Sequence, residues 1–132
     1  MPRRVLIAVF AIAAAGSLSA CGSEGISVAK NDSTTYRGAQ LFSERCSGCH
    51  TLDKVGAQGS ATKVRDRERV DGPNFNVRKE QVDQVLYAIR NGGFSGAIMP
   101  ENIVVGKDAQ AVAEFLAKYS GLKAPKSSSS SG

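Results

Sequence analysis

Five consecutive residues, Cys46-Ser47-Gly48-Cys49-His50, constrain this chain more than any other stretch. Two thiols stand three residues apart, close enough on a turn of helix to hold one common group. An imidazole follows at once. Three chemistries use such a run. A thioredoxin-like dithiol needs a strand–helix context with an alternating sheet, and no such pattern is visible here. A structural zinc site needs a fourth ligand, and no other Cys or His is left in the mature core. The third is covalent attachment of haem.

C-x-x-C-H is the attachment pattern of a c-type haem. Cys46 and Cys49 would each form a thioether bond to one of its vinyl groups. His50 would bind the iron through one ring nitrogen and hand its other N–H to an acceptor. One covalent haem c is the preferred cofactor; zinc and a redox dithiol stay as the alternatives.

The third cysteine, Cys21, has no disulfide partner if the other two hold haem. The N-terminus offers it a role. Arg3 and Arg4 give a short positive region, and Val5 to Ala15 is an unbroken apolar run of eleven residues. That is too short for a bilayer span of about 20 residues, but it suits a signal peptide. The ending Leu18-Ser19-Ala20-Cys21 resembles a bacterial lipobox. The resemblance implies cleavage after residue 20, lipidation of Cys21, and a domain held at a membrane face by acyl chains. Residues 1–20 are thus expected to be a lipoprotein signal peptide. An ordinary secretory signal with Cys21 near the cut by accident is the alternative. Both place the chain outside the cytoplasm. Residues 21–32, rich in Gly, Ser and charge, read as a flexible tether.

With Arg3 and Arg4 removed, fifteen basic residues face twelve acidic ones. The charges alternate in sign and no aromatic residues interleave with them, so no nucleic-acid partner is expected. Hydrophobic residues make up 42% of the chain, enough for one small core but not for several membrane spans.

A first helix is expected from about Ser33, with Ser33, Thr34 and Thr35 as plausible N-caps, to Cys46. Ala39, Phe42 and Cys46 share one face. Gly38 lies inside it, which suggests close approach by another element. Here the chain resembles the small class I cytochromes c with His/Met ligation. In that family a glycine four residues before an aromatic lets the last helix cross the first. Gly38 and Phe42 fit that pattern.

Residues 51–71 read as an irregular charged loop. Its seven residues Lys63 to Arg69 form either a solvated surface or a docking rim beside the haem edge. Gly72-Pro73-Asn74-Phe75 reads as a turn. The resemblance implies that the Pro73 carbonyl accepts the distal N–H of His50. A second helix is expected over about Arg78 to Asn91, with Val82, Val85, Leu86 and Ile89 as its apolar stripe and Asn91-Gly92-Gly93 as its stop.

Met99 is the only methionine besides the initiator, and His50 is the only histidine. A lone Met near apolar residues is by default core filler. Ligation by two histidines within the chain is excluded, however, and a thioether is a soft neutral donor that raises the iron's potential. In the family the second ligand is a Met on a glycine-containing loop before the last helix. Met99 is the expected axial ligand, with His50 opposite. Asp108 opens the last helix as N-cap or in its first turn. Val112, Phe115, Leu116 and Tyr119 form its apolar face; the resemblance implies that this helix crosses the first near Gly38 and Phe42, with Phe115 and Tyr119 as their partners. Residues 123–132, half of them serine, are expected to be a disordered tail.

The expected architecture is all-α: a cytochrome c fold of three main helices around one haem, over residues 33–122. The expected function is one-electron transfer by a carrier, not an enzyme. Its partners would be respiratory-chain proteins or periplasmic dehydrogenases that dock transiently at the haem edge. Two other functions are compatible with the sequence. One is a haem-based gas-binding or sensing module with a labile Met99. The other is a subunit docked in a larger oxidoreductase complex.

Overall fold

The computed structural model describes residues 25–94 and 98–123. Residues 1–24, with the expected signal segment and Cys21, the serine-rich stretch 124–132 and residues 95–97 lie outside the described residues. Three helices carry the fold: α1 (Ser33–Arg45), α2 (Val82–Asn91) and α3 (Gly106–Tyr119). Among the described residues no helix is long and apolar enough to cross a membrane.

The crossing of α1 and α3 organises the core. A Cβ on Gly38 would lie 2.1 Å from the Ala111 carbonyl oxygen and 2.7 Å from Phe115 Cβ. Only glycine permits this approach, so the crossing expected from the sequence is present. Phe42 and Phe115 are both fully buried, with ring centroids 5.8 Å apart. Tyr119 stands 5.6 Å beyond Phe115. Burying such rings contributes about 1.5–3 kcal/mol each. Helix α2 adds Val85 and Ile89 to the same core.

Several local expectations are revised. The cap of α1 is Asp32, one residue before the expected Ser and Thr candidates. Its carboxylate accepts the Thr35 N–H at 3.2 Å. Helix α2 starts at Val82 rather than near Arg78, because Gln81 and Gln84 form a reciprocal capping box there. Residues 75–80 instead run along the end of α3. The Glu80 N–H donates to the buried Ser120 hydroxyl at 2.9 Å, and the Gly121 N–H donates to the Phe75 carbonyl at 2.8 Å. Helix α3 opens at Gly106, with Asp108 in its first turn, where it meets Arg37 of α1 at 3.2 Å.

The loop after His50 is more ordered than expected. Thr51–Leu52 (β1) and Ala57–Gln58 (β2) form a short antiparallel hairpin, and Thr51 also bridges in parallel to Asn74. Within the stretch 21–32 expected to be a tether, residues 25–32 pack on the domain. Val28 is buried, Ile26 packs against the core, and the Ser27 N–H donates to the Lys54 carbonyl at 2.8 Å. Lys123, expected in the tail, bonds through its N–H to the Asn76 carbonyl at 2.8 Å.

Candidate functional site

The C-x-x-C-H run is the direct continuation of α1. The Cys46 N–H still bonds to the Phe42 carbonyl at 2.9 Å, and the Ser47 hydroxyl donates to the Ser43 carbonyl at 2.6 Å. The chain then tightens. The Cys49 and His50 N–H groups both donate to the Cys46 carbonyl, at 3.2 and 3.0 Å. Both thiols are free, Cys46 half-buried and Cys49 exposed. Burial pushes the Cys46 thiol up to about 12, and the nearby Cys49 adds to the rise.

His50 is fixed on three sides. Its Nδ1 lies 3.2 Å from the Pro73 carbonyl oxygen. A carbonyl only accepts, so Nδ1 carries the proton and Nε2 keeps its lone pair. The ring stacks on Phe75 at 4.7 Å and 13°. On another side Gly72 passes so close that an added Cβ would lie 2.3 Å from the ring's Cε1. Burial holds the imidazole pKa below its usual 6.5, against the raising effect of Pro73; the charge of Arg78 lowers it further. A neutral imidazole with a free Nε2 is the form that binds a metal.

The hairpin secures this frame. The Gly59 N–H donates to the His50 carbonyl at 3.1 Å, and the Gly72 N–H to the Cys49 carbonyl at 2.7 Å. Thr51 Oγ1 donates to the Ser60 carbonyl and accepts the Ser60 N–H, both at 3.0 Å. Sequence reasoning identifies Cys46, Cys49, His50 and Pro73, and the structure brings these four together. It does not identify Phe75 as the stacking partner of His50, nor Gly59 and Gly72 as the backbone clamp. The composition of residues 72–75 signals only a turn.

Met99 lies on a different segment, half-buried against the core. Its carbonyl oxygen would be 2.7 Å from a Cβ on Gly92, which caps α2 with φ +65. Gly92 thus both ends the helix and lets the Met99 segment pass. The Asn102 N–H then donates to the Ile89 carbonyl at 2.7 Å, returning the loop to α2.

The residues fit a covalent haem. Two free thiols lie on one tight turn, and a half-buried imidazole has its distal N–H already engaged. Among the described residues no cluster of three His, Cys, Asp or Glu side chains comes together, so the zinc alternative finds no site there. The family model for cytochrome c matches residues 36–120. The chain belongs to the cytochrome c family. This cytochrome carries covalent haem c, through the C-x-x-C-H spacing of Cys46, Cys49 and His50. It is also similar to the crystal structure of the c-type cytochrome SorU from Sinorhizobium meliloti. That match has 26% identity and a TM-score of 0.50, and covers 68% of this chain and 94% of the other. No curated protein matches the sequence. Family membership points to electron transfer as the activity.

Proposed function

We propose that this cytochrome is a lipid-anchored, extracytoplasmic carrier of single electrons between respiratory or periplasmic redox proteins. The observation that carries the reading is the closed frame around His50. With Nδ1–H engaged by Pro73 and the ring held by Phe75 and Gly72, the chain's one histidine is dedicated to ligation and has no freedom to act as an acid or base.

The haem supplies one-electron exchange at its iron. The protein supplies everything that keeps this exchange simple. Cys46 and Cys49 hold the group covalently, and His50 presents Nε2 in a fixed orientation. Met99 would be the second, soft donor to the iron, and a thioether there would favour a higher reduction potential. With both ligands supplied by the chain, little would have to rearrange when the charge changes. Cys21, within its lipobox-like run, supplies the anchor that keeps the carrier near its partners.

Substitution of Met99 by Ala tests the ligand set. The variant is expected to lose the low-spin spectrum, bind carbon monoxide and show a lower midpoint potential. An unchanged spectrum and potential would remove Met99 from the site.

A further inference from the structure

We infer that the domain does not swing freely on its lipid anchor but presents one defined face to the bilayer, the face formed by Lys54, Tyr119, Leu122 and Lys123. The inference rests on lipidation of Cys21 and adds to it the surface that meets the lipid.

The segment leading from the anchor is strapped to the domain over residues 25–32. Gly25 lies against the Val55–Gly56 backbone. The Ser27 N–H and hydroxyl both donate to the Lys54 carbonyl, at 2.8 and 3.3 Å. Val28 is only 7% exposed within the core cluster, and Ile26 packs beside it. Asp32 closes the strap by capping α1 and pairing with Lys118 at 2.8 Å. From Cys21 to Gly25 the chain advances four residues, which reach at most about 14 Å when fully extended. An acyl group on Cys21 therefore keeps the Val55–Gly56 corner within that distance of the headgroups.

The surface beside this corner has interfacial chemistry. A shallow groove joins Ser27 of the strap to Lys54, Tyr119, Leu122 and Lys123. Leu122 is 61% exposed, an apolar side chain that the fold leaves without cover. The ammonium groups of Lys54 and Lys118 lie 5.7 and 5.5 Å from the Tyr119 ring centroid. Lysine over an aromatic ring beside an aliphatic side chain suits a headgroup layer: the apolar parts sink while the charges stay with the phosphates. Lys118 and Lys123 pair with Asp32 and Asp53. Lys54 pairs with no carboxylate among the described residues, so the face keeps a net positive charge. An anionic bilayer is the partner that fits it.

The test uses the full-length lipidated holoprotein in phosphatidylcholine–phosphatidylglycerol vesicles. Haem attachment and lipidation consume all three native thiols, so one introduced cysteine reports alone. Ser27→Cys marks the proposed face, since Ser27 is exposed and lines the same groove while the lysines and Leu122 stay in place, and Asp83→Cys marks the exposed side of α2. In vesicles, labelling of position 27 by a membrane-impermeant maleimide is expected to slow at least about fivefold relative to detergent solution, with position 83 unaffected. Adding Val28→Ser, which loosens the strap, should restore labelling at position 27 without altering the haem spectrum. Equal labelling at both positions in protein that sediments with vesicles would overturn the orientation alone. Protein that does not sediment with vesicles would overturn the anchor, and this inference with it.

Discussion

Gly72→Ala probes the His50 frame with the smallest possible change. The added methyl would sit 2.3 Å from His50 Cε1 and 2.5 Å from Nδ1, where carbon atoms normally stand about 3.5–4.0 Å apart. Neither partner can step back cheaply. The backbone is pinned by the Gly72 N–H on the Cys49 carbonyl at 2.7 Å and the Phe75 N–H on the Thr51 carbonyl at 2.9 Å. The ring can turn only by leaving its stack on Phe75 and its bond to Pro73. Overpacking of this kind costs about 1–3 kcal/mol, and losing the imidazole–carbonyl bond costs about 1 more. The total is about 2–4 kcal/mol. With a urea dependence of about 1.5 kcal/mol per molar, the unfolding midpoint of the holoprotein should fall by about 1.3–2.7 M. The midpoint potential should shift as well, since His50, the proposed iron ligand, is reoriented. Gly48→Ala is the control within the same motif: nothing lies within 4 Å of its added methyl, and its effect should stay within about 0.5 kcal/mol. Urea titration followed at the haem absorbance measures both. A Gly72→Ala protein as stable as its parent, with an unchanged potential, would refute the clamp.

Two further substitutions address the scaffold. Gly38→Val should destabilise by about 3 kcal/mol or more, seen as a large drop in the thermal midpoint, because its side chain would enter the Ala111 backbone at the helix crossing. Asp32→Asn removes the ionic partner of Lys118, whose hydrogen bond, with the cap to Thr35, lowers the Asp32 carboxyl from 3.8 to about 2. A depressed acid contributes stability above its unfolded value and loses it as pH falls through its folded one. The parent should therefore be the more stable protein above about pH 4, and the difference should close as the pH falls to about 2.

What the sequence discloses divides along contact range. Cys46, Cys49 and His50 lie within five residues, so their spacing points to haem attachment before any fold is known. The apolar stripes of α2 and α3 are periodic and local, and they coincide with the buried Val85, Ile89, Val112, Phe115 and Leu116. Gly38 is readable because a glycine weakens the helix that holds it, a cost that a close helix crossing offsets. Features that depend on distant partners are not readable. The stack of Phe75 on His50 and the clamp by Gly59 and Gly72 join segments that meet only through the hairpin. The start of α2 falls at Val82 because residues 75–80 bond to the end of α3 instead of entering a helix. The composition of residues 25–32 suggests a tether, yet Val28 and Ile26 find cover against the core. Two apolar side chains and a pair of hydrogen bonds suffice to dock so short a segment.

The most direct measurement of the central claim is an absorption spectrum of the holoprotein, taken oxidised, reduced, and reduced with carbon monoxide. His50 and Met99 together predict low-spin c-type bands, a ferric methionine–iron charge-transfer band, and no response to carbon monoxide. High-spin bands with rapid carbon monoxide binding would contradict the Met99 assignment and favour a gas-binding module.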